Sequence, residues 1–575
     1  MPAYDNFAVA AILDRMGDLV EVAGGDRFRA LSYHKAAHVL RAWPEALSAM
    51  AADGRLTEVP GIGVKLAVSI GQILDTGTFP ELEELRGTFP TSLVEVLEIP
   101  GIGPKKARIL HDEVGVTSLD DVAVAIAEGR LADLPGFGAK TVANIEAGIE
   151  AYRRHHERIL LFEALPLAEA VAEDLRALPG VRAAEPAGSI RRMQETIGDI
   201  DVLVSADEPP AVMEAVRALP LTSSVIGSGP SKTSVLTTTG LQVDVRVVEP
   251  GQWGAALQYF TGGKEHNVRL REIAKRRGLK ISEYGVFRTE TGERVAGASE
   301  EEVYAALGMP TPPPEIRQNS GEIEEMLEGR LPDLVALTDV CGDFHTHTKA
   351  TDGRSTLEQN RARAAELGYE YVAATDHAAN LKMTGMDIDA LERQWEEIDR
   401  LNETPGPHVL KGIELNIDYE GGVDYAPDVL ARFDICLASL HSGWGQPSEV
   451  ATRRVLRAME NPYVDVVSHL TGRILGRRDP IDLDVEAVLA KAAETGTIME
   501  VNAFPDRLDL RDVHLRAAKR FGVRISIGTD AHEERQMGYM SYGVATARRG
   551  WISAAELLNA QPLDTVRGWL KRSRA

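Results

Sequence analysis

The chain has 575 residues and a mass of 62.4 kDa, with 44% hydrophobic and 26% charged residues, the composition of a globular protein of roughly three to five domains. Its net charge of -24 excludes a protein that coats nucleic acid by bulk basicity, so binding to a polyanion must come from local patches. The N-terminus MPAYDNFAVAAILDRMGDL has acids where a signal peptide needs bases, and no apolar run of roughly eighteen residues occurs, so neither export nor a membrane span is expected.

Helical periodicity dominates from Met1 to about Arg154 and predicts an all-α region. Within it a pattern of apolar-Pro-Gly-apolar-Gly followed by a lysine-bearing helix recurs as VPGIGVKLAVSI (Val59–Ile70), IPGIGPKKARIL (Ile99–Leu110) and LPGFGAKTVANI (Leu134–Ile145). Paired glycines at a helix N-terminus aim backbone N–H groups outward, where the helix dipole favours an anion. Gly61, Gly63 and Lys65, then Gly101, Gly103 and Lys105 (with Lys106), then Gly136, Gly138 and Lys140 are the candidate DNA-backbone contacts. The pattern resembles the helix-hairpin-helix of DNA repair proteins, which grips duplex backbone without reading sequence. Segments 1–85 and 86–155 are expected as two helical subdomains, the first with one hairpin and the second with two.

The period changes at AGSIRRMQETIGDIDVLV (Ala187–Val204). In its strand-like alternation Asp199 and Asp201 share one face and Ile200 and Val202 the other. LQVDVRVV (Leu241–Val248) is a second alternating strand and carries Asp244. Three carboxylates on adjacent strands repel one another unless cations lie between them, and can hold two hard divalent ions, Mg²⁺ or Mn²⁺. With the Gly188-Ser189 turn upstream, the set resembles the nucleotidyltransferase superfamily. GSGPSKTSV (Gly227–Val235) and the run from Gln258 to Phe287, containing YFTGGKEHN, narrow the resemblance to the family X DNA polymerases from Asp26 to about Pro310.

That resemblance implies an α+β nucleotidyltransferase palm over 156–248 and a nucleotide-selection and thumb subdomain over 249–310. It makes Asp199, Asp201 and Asp244 the catalytic ion ligands. Gly188, Ser189, Gly198 and Arg192 would hold the triphosphate, with Arg158 matching a supporting arginine. Tyr259, Phe260 and Gly262 would line the sugar, Asn267 the base edge and Arg271 the template strand. Lys264, beside the Tyr-Phe-Thr-Gly turn, is placed to pair with an incoming phosphate, and it opens a basic run to Lys280. Two departures stand out. Gly262-Gly263 replaces the family's frequent Gly-Ser, which removes a hydroxyl from nucleotide selection. Ser69 stands where lyase-active members carry a nucleophilic lysine, and a serine cannot form a Schiff base.

The run TPPPEIRQNS (Thr311–Ser320) breaks both periodicities and predicts a linker over 311–335. Beyond it, over 336–575, seven short apolar runs alternate with helix-length segments: DVCGDFH, YEYVAATDH, HVLKGIELN, FDICLASLH, YVDVVSHL, GTIMEVNA and VRISIGTDAH. They predict an α/β parallel barrel, TIM-like with one unit missing. Cys341 and Cys436 lie in two of these runs, predicting buried thiols in a reducing compartment.

All but one of the runs end in a potential ligand, and strand C-termini of such a barrel converge on one face. The set is His345, His347, His377, Glu414, His441, His469, Asp530 and His532, with Asp352 just after the first run. Glu500 and Asn502, on the remaining run, are supporting candidates, while His408 and His514 read as packed residues. Mixed imidazole and carboxylate suits two or three Zn²⁺, Mn²⁺ or iron ions better than Mg²⁺. The pattern resembles the PHP (polymerase and histidinol phosphatase) domain, a metal-dependent phosphoesterase, from about Asp339 to Arg574.

Together the resemblances imply a multidomain bacterial, cytoplasmic family X polymerase with a C-terminal PHP domain. It would use Mg²⁺ or Mn²⁺ and dNTPs to fill short gaps in gapped or nicked duplex DNA, as a monomer. The barrel would process 3' ends by 3'-5' exonuclease or 3'-phosphatase chemistry, with cleavage at abasic sites as a further activity. A DNA-end scaffold would keep its role after loss of the aspartates and of His345/His347. A nucleotidyltransferase for RNA or a small molecule, with the barrel acting on a phosphate monoester, would show no stimulation by gapped DNA.

Overall fold

The computed structural model describes residues 6–41, 43, 47–89, 93–97, 99, 102–131, 134–156, 158–381 and 385–571. They divide into two compact units, Met1–Arg158 and Ile159–Ala575. No described helix is long and apolar enough to cross a membrane.

The described residues of the first unit's regular elements are all helical, from Asn6–Val22 to Ala139–His156. The repeated motif does the same thing each time. The residue between its glycines closes a turn by donating its N–H three residues back, Ile62 to Val59, Ile102 to Ile99 and Phe137 to Leu134, and is itself buried. Gly63 and Gly103, both extended, cap helices Val64–Thr76 and Pro104–Val114, and Gly138 accepts from Thr141 as Ala139–His156 begins. The two expected subdomains share one apolar core, running from Val9 to Ile149 and holding all three plugging residues. A boundary near residue 85 therefore separates motifs but not cores.

The second unit begins with a five-stranded mixed sheet, in which strand Asp199–Ala206 runs parallel to Gln242–Val248. Ile200, Val202 and Val204 face a core closed by helices Leu161–Arg176 and Pro209–Arg217. The opposite parity carries Asp199, Asp201 and then Leu203, which packs with Ala256 and Leu257 of helix Trp253–Thr261. A three-stranded antiparallel sheet and helices Lys264–Arg276 and Glu300–Ala306 complete the thumb.

The segment expected as a linker is packed. Its helix Glu322–Leu327 puts Ile323 and Met326 into the thumb core. Arg317, 1% exposed, pairs with Glu300, and Glu322 lies 2.7 Å from His266 Nδ1. Prolines forbid a regular helix or strand, which is what the pattern registers, but they do not forbid burial.

Seven parallel strands in sequence order form the barrel. The bridge Thr346↔Ala531 and the His347 N–H to Ala531 O, 2.8 Å, join the last strand's end to the first's. Period-two alternation sorts the strands' two faces. Ile435 and Leu437 belong to one cluster with Phe344, Leu410 and Ile498, while Cys436 and Ala438 join the layer under the helices. Glu414 shares parity with Leu410, and Glu500 and Asn502 share it with Ile498, so all three face inward.

Candidate active sites

In the palm, register places Asp201 directly beside Asp244. Gly188 has φ +59, and a Cβ there would meet Asp201 Oδ2 at 2.5 Å, so only glycine lets the turn approach this carboxylate. Burial, then the neighbouring charges of Asp199 and Asp244, pushes Asp201 up to about 7. Burial acts the same way on Asp244, but the Lys232 ammonium at 2.6 Å and hydrogen bonds from Ser234 and Gln242 outweigh it and hold its carboxyl below the usual range. A cation already satisfies part of this site, and the face bearing Asp201 and Asp244 opens to a cavity of about 60 Å³.

The turn after the palm is braced from within. Asn267 donates its amide N–H groups to Tyr259 O (2.7 Å) and Gly262 O (3.0 Å), while its Oδ1 accepts from Gln258 (2.8 Å). A Cβ on Gly262 would strike that Oδ1 at 2.4 Å. Asn267, for which a base-edge role is expected, thus also braces the Tyr259–Gly262 turn. Ser189 lies in helix Gly188–Arg191, Gly198 just ahead of strand Asp199–Ala206, and Arg192 donates to Thr261 O at 2.7 Å. Arg158, Lys264 and Arg271 are exposed. Sequence reasoning missed Gln258 and the network in which Arg191 and Arg317 share Glu300.

In the helical unit, Gly61 (φ +85) and Gly136 (φ +87) are left-handed, and a Cβ on Gly61, Gly63, Gly103 or Gly138 would meet nothing within 4 Å. Open space in front of the turns suits a backbone ligand. Lys105 and Lys140 are exposed, whereas Lys65 is tied to Glu81 at 2.8 Å and Lys106 lies over the Phe137 ring. Gly101 lies outside the described residues. Ser69 is buried and donates to Lys65 O, with no amine in its place.

The barrel brings all nine expected ligands together. Four groups have ligand atoms within 4.8 Å of one another: His347, Asp352, His377 and His532; His345, His347 and Glu414; His345, His469 and Asp530; and His377, Glu414 and His441. Glu414 is central, with His377 Nδ1 at 2.8 Å, His469 Nε2 at 2.9 Å and His441 Nε2 at 3.1 Å. His408 and His514 belong to none of these groups.

The donor atoms fit metal ions. His345 Nε2, His347 Nδ1, His377 Nδ1, His469 Nδ1 and Glu414 Oε2 are all buried without a hydrogen bond. Such orphans are costly in a folded protein unless something else satisfies them. His377 Nδ1 and Glu414 Oε2 face each other at 2.8 Å. Around them, Glu500 Oε1 accepts from His345 Nδ1 at 2.6 Å, which turns Nε2 toward Glu414 and Asp530, each 3.6 Å away. Asn416 holds His441 Nδ1 at 2.7 Å, and Asn502 donates to Asp530 at 3.1 Å. His469 and Asp530 adopt left-handed φ of +27 and +54, strain that surrounding structure must hold in place. Burial would raise Asp530 and Glu414, but facing histidines hold both carboxyls well below the usual range. Asn416, two residues past Glu414 on the same strand face, could have been found from parity; Arg507, 3.4 Å from Asp530, carries no signal in the sequence.

Helix-hairpin-helix domain and SAM-like helix-hairpin-helix tandem models match residues 4–79 and 93–149, and a DNA polymerase beta thumb model matches residues 256–318. The chain is 37% identical over 569 residues to DNA polymerase/3'-5' exonuclease PolX of Bacillus subtilis (strain 168), covering 98% of this chain and 99% of that one. It is also 30% identical over 249 residues to a "Probable phosphatase" of Thermoanaerobacter sp. (strain X514), covering 40% of this chain and 95% of the phosphatase. Another, from Caldanaerobacter subterraneus, is 32% identical over 255 residues, covering 40% of this chain and 91% of its own length.

Proposed function

This chain belongs to the PolX family of DNA polymerase/3'-5' exonucleases, and we propose that it fills short gaps in duplex DNA from its palm and processes 3' ends at its barrel. The observation that carries this reading is the presence, in one compact unit, of two separate ligand centres of different chemistry: an all-carboxylate pair with Gly188 pressed against it, and a buried imidazole and carboxylate cluster.

In the palm, Asp199, Asp201 and Asp244 hold Mg²⁺ or Mn²⁺. Ions bound there would activate a primer hydroxyl and neutralise the leaving pyrophosphate. The chain's own part is to position. Gly188, Ser189, Gly198 and Arg192 cradle the triphosphate, with Arg158 and Lys264 supporting it. The turn braced by Asn267 presents Tyr259, Phe260 and Gly262 to the sugar, and Arg271 faces the template. The hairpin glycines and lysines hold duplex DNA by its backbone.

At the barrel, the nine clustered residues hold two or three ions, of which Zn²⁺, Mn²⁺ and iron suit the donor set. Such ions would polarise a phosphate and deprotonate a water near neutral pH. Glu500, Asn416 and Asn502 fix the orientation of His345, His441 and Asp530. The products are 3'-hydroxyl ends from a phosphate, a mispair or a damaged nucleotide, with abasic-site cleavage within reach of the same chemistry. The protein acts as a monomer in the bacterial cytoplasm.

A 5'-labelled primer in a one-nucleotide gap, with Mn²⁺ and with or without dNTPs, tests this. Extension should vanish only in Asp201→Ala and shortening only in His345→Ala. Survival of both activities in both variants overturns the residue assignments, and absence of both in the parent favours a DNA-end scaffold.

A further inference from the structure

A cavity of about 460 Å³ opens beside the barrel's ligand cluster, between the loop that follows His469 and the segment leading into helix Asp512–Phe521. Both walls are tied to ligands. Gly472 N–H donates to His469 O at 2.8 Å, and Thr471 and Gly472 N–H groups hold Asp509 at 2.8 and 3.0 Å. On the far side Arg507 reaches Asp530 at 3.4 Å, and its carbonyl accepts from Arg473 at 2.9 Å.

Four arginines line this cavity: Arg473, Arg477, Arg478 and Arg511. Two have structural partners. Arg473 holds Glu195 through 3.0 and 2.6 Å bonds, and Arg478 donates to Gly472 O at 2.8 Å with its guanidinium over the Trp444 ring at 3.8 Å. The other two have almost none. Arg477 is exposed and its side chain makes no hydrogen bond or ion pair with any described residue, while Arg511 only approaches Asp512 at 3.9 Å. In a chain of net charge -24, two lightly partnered guanidinium groups on one cavity, with Asp479 the acid among its lining residues and Asp512 3.9 Å from Arg511, mark a place for an anion. Trp444, three residues past His441 and 37% exposed, adjoins the cavity through Arg478, whose guanidinium lies over its ring. An aromatic face beside free arginines suits a base on its sugar-phosphate backbone.

We propose that this cavity is a strand-binding subsite: Arg477 and Arg511 hold backbone phosphates of a single DNA strand a short way upstream of the terminus being hydrolysed, and Trp444 offers a stacking surface to one of its bases. This deepens the 3'-end reading and rests on it. The cavity is of ligand-site size, and its lining begins at Thr471, two residues past His469, so a strand with its last phosphodiester at the cluster would carry its next phosphates toward these arginines.

The test compares Arg477→Gln/Arg511→Gln with the parent, both as full-length metal-loaded protein, on a 12-residue oligo(dT) and on thymidine 5'-(4-nitrophenyl phosphate), which has no upstream phosphates. Expected for the variant are an unchanged melting temperature, unchanged kinetics on the small ester and a KM for the oligonucleotide raised about tenfold with kcat retained. The slope of log(kcat/KM) against log[salt] for the oligonucleotide should become shallower by about 1.4, two phosphate contacts of roughly 0.7 each. Equal losses on both substrates, or no change on either, overturn the subsite. Weakened inhibition by dTMP with an unchanged oligonucleotide KM also overturns it, since the cavity would then hold a free nucleotide product. A parent that cleaves the small ester but not the oligonucleotide defeats the exonuclease reading and this inference with it, and is distinguishable because it needs no variant.

Discussion

The Glu195 carboxylate of the palm lies 2.6 Å from Arg473 of the barrel and also meets Arg549 at 3.3 Å. Arg549 further donates to Met193 O, so two barrel arginines grip the loop joining Ser189 to Asp199. All three charged side chains are largely buried. Removing Glu195 leaves two buried guanidinium groups without the carboxylate they share, with only Asp512, 3.4 Å from Arg549, still paired to one of them. Glu195→Ala is therefore expected to cost about 3 kcal/mol. Urea unfolding of the parent and the variant measures it, and a change below about 0.5 kcal/mol would show that the contact does not hold palm and barrel together.

Gly188→Ala puts a methyl 2.5 Å from Asp201 Oδ2 in a backbone conformation unsuited to alanine. The carboxylate must shift by the better part of an ångström, a displacement that typically costs about a hundredfold in rate. Primer extension should fall by that factor while 3' shortening keeps its parental rate. Equal loss of both activities would instead indicate a folding defect.

Glu500→Gln replaces the acceptor at His345 Nδ1 with an amide that can present a donor there. Partners of metal ligands typically contribute 10- to 100-fold in affinity. Barrel metal, read by chelator competition, should bind about tenfold or more weakly, with the palm's primer extension unaffected. Unchanged affinity would leave Glu500 a packing residue.

Asp201 carries a pH signature in the chelated protein. Its folded pKa of about 7 lies above the ordinary 3.8, so between those values the folded chain holds a proton that the unfolded chain releases. Stability therefore falls as pH rises through that window and is flat above it. Asp201→Asn removes the effect, so in EDTA the variant should melt above the parent at pH 8 and the gap should close toward pH 4. A gap independent of pH would mean that like-charge repulsion and burial do not act on this carboxyl.

Features governed by neighbours along the chain were legible before any coordinates. The Pro-Gly-apolar-Gly turns, the shared face of Asp199 and Asp201, and nine candidate ligands gathered at or just past strand ends all follow from turn chemistry, period-two alternation and the convergence of parallel strands. Other features were settled by contacts between distant segments. Arg473 and Glu195 are 278 positions apart, and no local pattern pairs them. The proline-rich segment read as a break because prolines interrupt hydrogen-bonding ladders, yet burial of Arg317 against Glu300 makes it part of the thumb. No local pattern announces that the Asn267 amide bonds into the Tyr259–Gly262 turn. Short-range periodicity specifies which faces exist and which atoms they carry; which face meets which is a property of the packed chain, where burial and charge compensation are long-range.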